Sequence, residues 1–244
     1  FYFFHQKEKN IILNKKIIFF LVLFSVIIIT GERNAVLIST LTLLFIFSFK
    51  KKLKFVFLFI TLLILLIFTL SVFSKGVEER FVKPIKSLNN LNTANIYEKL
   101  INNPWGHHYE ASIELFLEKP IFGHGPKSYR IVCQKTKIQK KLKEQKSAYL
   151  ACATNPHNYL LEFLSENGIV GGIFFLGIIF IIIFQILGII KKNSSENLVA
   201  IALGSLILAI MFPFKPSGSF FSTFNSTMLF YIFGFYLHCL KKIK

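Results

Sequence analysis

The residues best suited to acid–base chemistry lie in the stretch Thr154-Asn155-Pro156-His157-Asn158, which runs through Glu162 to Gly168. Asn155 is a helix-capping residue type, Pro156 fits a first helical position and Gly168 can end the helix. On that reading His157 sits in the first turn, where the helix dipole disfavours imidazolium and keeps the ring neutral. A neutral imidazole can take the proton of an attacking hydroxyl. The alternative is a histidine that only caps or packs.

A second element precedes it. In Pro120-Ile121-Phe122-Gly123-His124-Gly125-Pro126, followed by Tyr129-Arg130, Gly123 and Gly125 permit a tight turn and close backbone approach. Pro126 suits the first position of a new helix, whose unpaired N–H groups favour anions. Arg130, about one turn further on, makes this a candidate phosphate site. Cys133 and Cys152 flank a lysine-rich segment, Lys135–Lys146, that reads as a solvated face or an attraction for an anionic lipid or glycan. A bridge between the two cysteines would close a loop worth about 3 kcal/mol in the chain-entropy model. With no further ligand pattern beside them they do not read as a zinc site. Glu110, Glu114 and Glu118 recur every fourth residue over Tyr109–Glu118, as the wet stripe of a short helix.

The elements that must position these groups are apolar. Of 244 residues 53% are hydrophobic, including 30 Phe, and they gather in six runs: Ile17–Thr30, Ala35–Phe49, Phe55–Ser74, Ile169–Ile190, Leu198–Phe214 and Phe220–Leu240. Lysine clusters (Lys15-Lys16, Lys50-Lys51-Lys52, Lys191-Lys192, Lys241-Lys242) alternate along the chain with Gly31-Glu32-Arg33-Asn34, the long segment 75–167 and Lys215-Pro216-Ser217-Gly218. Lysine clusters on the cytoplasmic side satisfy the positive-inside rule, and the 14 basic residues of the long segment do not break it because long loops translocate largely regardless of charge, so the net charge of +17 does not require nucleic acid. All 12 acidic residues are Glu, which weakens any Asp-based metal site.

The first two runs are short. Fifteen helical residues reach about 22 Å against roughly 30 Å of hydrocarbon. We therefore read a hairpin with Arg33 at its outer tip, either lining a protein cavity or reaching up to lipid phosphates. The chain starts at Phe1 rather than Met, and further spans before it are expected. The expected fold is an all-α integral membrane protein of about six transmembrane helices and a large, mostly helical periplasmic loop. Three spans fall in 1–74, the catalytic loop in 75–168 and three more spans in 169–244.

His157-Asn158, followed by Gly168 and Gly171, resembles the signature of the O-antigen ligase/polymerase family. Pro120–Pro126 with Tyr129-Arg130 resembles its pre-helix element, and Gly31-Glu32-Arg33 resembles its arginine element at a hairpin tip. The resemblance runs from about Gly31 to Gly172. Many relatives read His-Pro-His-Asn where this chain has Asn155-Pro156-His157-Asn158.

The resemblance implies a GT-C-like glycosyltransferase of the bacterial inner membrane that works on the periplasmic face without cofactor or required metal. Its donor would be an undecaprenyl-diphosphate-linked glycan. Its acceptor would be lipid A-core or a growing glycan, and its surroundings membrane lipids. His157 would activate the acceptor hydroxyl, and Arg33 and Arg130 would hold the diphosphate, with Gly123, Gly125, Asn158 and Gly168 in support. A polymerase, a protein O-oligosaccharyltransferase and a polyprenyl-glycan transporter are the competing readings. His5, His107, His108, His124 and His238 are treated as non-catalytic.

Overall fold

The computed structural model describes residues 21–49, 53–86, 104–147, 150–191 and 197–243. The expected apolar end at residues 1–4, the start of the first run and the lysines at 15, 16, 50, 51, 52 and 192 lie outside them. Every regular element among the described residues is helical. The chain divides into two compact units: Phe1–Asn90 with Ile183–Ile210 and Phe233–Lys244, and Leu91–Ile182 with Met211–Ile232.

In the first unit a helix over 21–29 (α1) turns at Thr30–Glu32 into α2 (Arg33–Phe49). Gly31 has a positive φ of 71°, and the turn is held from a distance by Arg80, whose Nη1 donates to the Gly31 carbonyl at 3.1 Å. A side chain at residue 31 would collide with the Arg80 side chain. Arg33 is exposed as the first residue of α2. The tip is therefore tied by a second arginine that sequence spacing did not single out.

Next comes α3 (Leu53–Phe73), then Ser74, whose hydroxyl caps the short α4 (Lys75–Val77). A π-helical turn (Glu78–Val82) and α5 (Lys83–Lys86) follow. Ile28, Val36 and Val77 bury together against Leu66, Leu70 and Phe81. The helix α10 (Asn197–Ile210) packs on α2.

Among the described residues two helices are long and apolar enough to cross a membrane: α3, through Val56–Phe73, and α9 (Tyr159–Lys191), through its apolar run after Gly168. Along α3 large apolar side chains such as Phe57, Ile64, Phe68 and Val72 stay uncovered, as expected of a surface in contact with hydrocarbon. The six-span reading is not reproduced in full. Helices α2 and α10 are shorter apolar helices, and α11 (Thr223–Ile243) opens with Asn225, Ser226 and Thr227 and closes with Lys241 and Lys242.

The second unit holds the polar segment. Its helices are α6 (Pro104–Glu118), the single turn α7 (Tyr129–Val132) continued by a 3-10 turn (Cys133–Lys135), and α8 (Lys137–Glu144). Their core joins Ala111, Leu115, Tyr129, Cys133, Leu142 and Ala151. On α8 the pattern is amphipathic: Ile138, Gln139 and Leu142 are buried while the lysines face outward.

The acidic stripe of α6 differs from a merely wet face. Glu114 accepts the backbone N–H of Lys137 at 2.6 Å and so joins Thr136 in capping α8. Glu118 lies 3.6 Å from His124.

Candidate active site

The site is built on a backbone lock between two sequence motifs. Within α9 the dihedrals break at Gly168 (φ 67°, ψ −161°), which separates a polar segment over 159–167 from the apolar run that follows. The Pro120–Gly125 loop lies against this break. Ile169 N–H donates to the Pro120 carbonyl at 2.7 Å, and Gly125 N–H donates to the Glu166 carbonyl at 2.7 Å. A β-carbon at Gly168 would overlap the Ile121 carbonyl, and one at Gly123 would overlap the backbone of Glu166 and Asn167. The glycines of both motifs therefore serve one close backbone approach.

The amides after the glycines are not open to a ligand. The Glu166 carboxylate accepts N–H groups from Lys127 (2.6 Å) and Tyr129 (3.0 Å). Pro126 does not begin the helix, which starts at Tyr129 with Lys127 in a left-handed conformation. Burial pushes the Glu166 carboxyl up, and the Tyr129 and Lys127 amides oppose that shift. The anion expected at this turn is the protein's own side chain. Arg130, the next residue, keeps an exposed guanidinium.

The start of α9 also differs from the sequence reading. Asn158, not Asn155, caps it: Asn158 Oδ1 accepts from Leu161 N–H at 3.0 Å. Its Nδ2 donates to the carbonyls of Pro213 (2.7 Å) and Lys215 (3.3 Å), tying the helix start to the loop before α11. His157 consequently stands outside the helix with φ 54°, a left-handed conformation costly for a residue other than glycine. Ser217 N–H holds it by donating to the His157 carbonyl at 2.8 Å. Strain held in this way, beside polar groups, is a common mark of a functional position.

The half-buried His157 ring meets Trp105 edge-on, with centroids 4.8 Å apart, and His108 at 5.2 Å. Burial, and then the neighbouring His108, lower its pKa, with the Ser217 backbone opposing, so the neutral base is favoured. Neutrality was expected from a helix dipole; desolvation and a second histidine supply it instead.

Two groups near this start were not singled out as site residues in the sequence. Lys215 is 2% exposed, with its ammonium 5.3 Å over the Tyr159 ring and 3.3 Å from the Pro216 carbonyl. Burial lowers its pKa to about 8. Glu162 is 1% exposed and accepts from the Ser219 hydroxyl and from Phe220 N–H (2.6 Å). Burial raises its pKa to about 7 against those bonds.

Cys133 and Cys152 are joined, with Cα atoms 5.7 Å apart, and Cys239 is free. His157, Arg130 and the bridge belong to the second unit, Arg33 to the first.

Among the described residues no group of three or more His, Cys or carboxylate side chains could hold a metal ion. A family model described as O-antigen ligase matches residues 18–176, well over half of the chain. No curated protein and no solved structure matches it.

Proposed function

The chain belongs to the O-antigen ligase family, whose members are generally glycosyltransferase-like and membrane-associated, and we propose that it transfers a glycan from an undecaprenyl-diphosphate carrier to a hydroxyl acceptor. The observation that carries this reading is His157: a signature histidine in a left-handed conformation, kept neutral by burial and walled by two rings.

In this scheme His157 removes the acceptor hydroxyl proton as the oxygen attacks the anomeric carbon, and the bond to the carrier phosphate breaks. Positive groups stabilise the diphosphate that leaves. Arg33 and Arg130 are assigned that role because a guanidinium keeps its charge and matches phosphate oxygens in a fork. No step is assigned to a metal. The protein is placed in the bacterial inner membrane as a multi-pass chain, with the polar segment on the periplasmic side. The acceptor is assigned as lipid A-core or a growing glycan, a choice the test below decides.

The test is transfer of labelled glycan from the lipid-linked donor in membranes carrying the full-length protein. Transfer to lipid A-core supports ligation, and elongation of the donor glycan alone would replace it with polymerisation. No transfer to any hydroxyl acceptor would sink the enzyme reading.

A further inference from the structure

A general base needs a third group to hold it in orientation. Among the described residues no carboxylate pairs with the His157 ring, and the chain has no Asp. What the ring does meet is aromatic. Trp105 and His108, one turn of α6 apart, lie with centroids 4.8 and 5.2 Å from it, and 6.3 Å from each other.

His108 is fixed from behind. It is 8% exposed, and its Nδ1 lies 2.7 Å from the Ala151 carbonyl. A carbonyl only accepts, so Nδ1 carries a proton and the bond fixes the orientation of the ring. The same carbonyl accepts from the Tyr129 hydroxyl at 3.0 Å. Residue 151 is in turn anchored by a fully buried glutamine of α8: Gln139 Oε1 accepts the N–H groups of Ala151 (2.9 Å) and Cys152 (3.2 Å). Cys152 is bridged to Cys133. A continuous set of contacts thus runs from the disulfide, through Ala151 and His108, to the His157 ring.

We propose that His108 is a positioning residue for His157, and that the Cys133–Cys152 bridge acts on the base through it. The proposal rests on the reading of His157 as the base. His108 does no chemistry of its own here: its ring and that of Trp105 replace the carboxylate that usually orients a catalytic imidazole. Opening the bridge frees Cys152, lets the Ala151 carbonyl move and releases His108 from its orientation. Transfer is then slowed although no residue that touches substrate has changed.

Two variants separate the parts. His108→Asn keeps a donor close to the Nδ1 position and removes the ring; His108→Phe keeps a ring and removes the donor. In membranes with lipid-linked glycan donor, each should lower kcat by about 10- to 100-fold, the scale of a misplaced catalytic group, with KM little changed. A thiol reductant should slow the wild-type protein and leave His108→Phe no slower than before. A substrate-free readout is NMR of histidine-labelled full-length protein in detergent micelles. The His157 ring resonances should move in both variants and on reduction of the wild type. Ring resonances of His157 indifferent to His108→Phe, or a reductant that slows wild type and variant equally, would overturn the proposal. Coupled resonances without any glycan transfer would support the positioning of His157 while removing the transferase reading.

Discussion

The Glu166 carboxylate holds the backbone amides of Lys127 and Tyr129, at 2.6 and 3.0 Å. A glycine-proline turn that looks like an anion cradle is thereby filled from within the chain. On the proposed reading the charge of the donor would meet side chains instead, and Arg130 is the cation that follows directly on the filled turn. The assignments to Arg130 and His157 are therefore open to separate tests.

His157→Ala should remove most glycan transfer, about 100- to 10,000-fold, the range for a positioned general base. Membrane insertion and donor binding should persist. His157→Gln should fail as well, since an amide cannot usefully accept the proton. Transfer by the Gln variant at the wild-type rate would reduce His157 to a positioning role.

Arg33→Lys and Arg130→Lys each keep charge but lose the planar fork. Both should impair transfer through weaker donor binding, read as a raised KM for lipid-linked donor. Unchanged kinetics in both would remove the diphosphate assignment.

Lys215 has a pKa lowered to about 8 by burial. Between that value and the ordinary lysine value the unfolded chain binds more protons, so stability should rise with pH across about 8 to 10.5. Lys215→Met, which keeps apolar contact with the Tyr159 ring, should abolish that rise in thermal melts. A rise of equal size in the variant would assign it to another group.

Glu162 works in the opposite sense. With its carboxyl raised to about 7 from an ordinary 4.5, the folded state binds more protons, so stability should fall as pH rises through this window. Glu162→Gln should flatten the melting temperature there. It should also lose some stability at every pH, because the second acceptor oxygen facing Ser219 and Phe220 becomes a donor.

Gly168→Ala must place a β-carbon against the Ile121 carbonyl in dihedrals open essentially to glycine alone. Backbone strain of about 1 to 3 kcal/mol should add to the steric clash. The readout is a lower unfolding temperature in detergent, and a melt equal to wild type would argue against the locked loop.

What the sequence showed well was local. Apolar runs became helices, the glycines at 123, 125 and 168 mark backbone that only glycine tolerates, and two cysteines 19 positions apart meet. The misplaced details all depend on distant partners. Asn155-Pro156 reads as a helix start, yet Asn158 prevails because its amide also reaches carbonyls 55 and 57 positions away. Glu166 fills a turn 37 positions upstream, and no local pattern announces it. Lys215 looked like part of a polar connection, and only tertiary packing shows that its ammonium is buried. His108 had a faint signal, a histidine pair at a helix start beside Trp105, but nothing in the spacing aimed it at His157.

The lock at Pro120 and Ile121 has a dynamic consequence. Their carbonyls receive the N–H groups of Ile169 and Val170, the opening amides of the apolar run (2.7 and 3.4 Å). Swinging this loop aside would leave two amides without these partners, at a cost of about 1 to 3 kcal/mol for each that finds no other acceptor. The Pro120–Gly125 loop is thus a fixed doorpost rather than a door. On the proposed reading, whatever admits a glycan to His157 moves in some other segment.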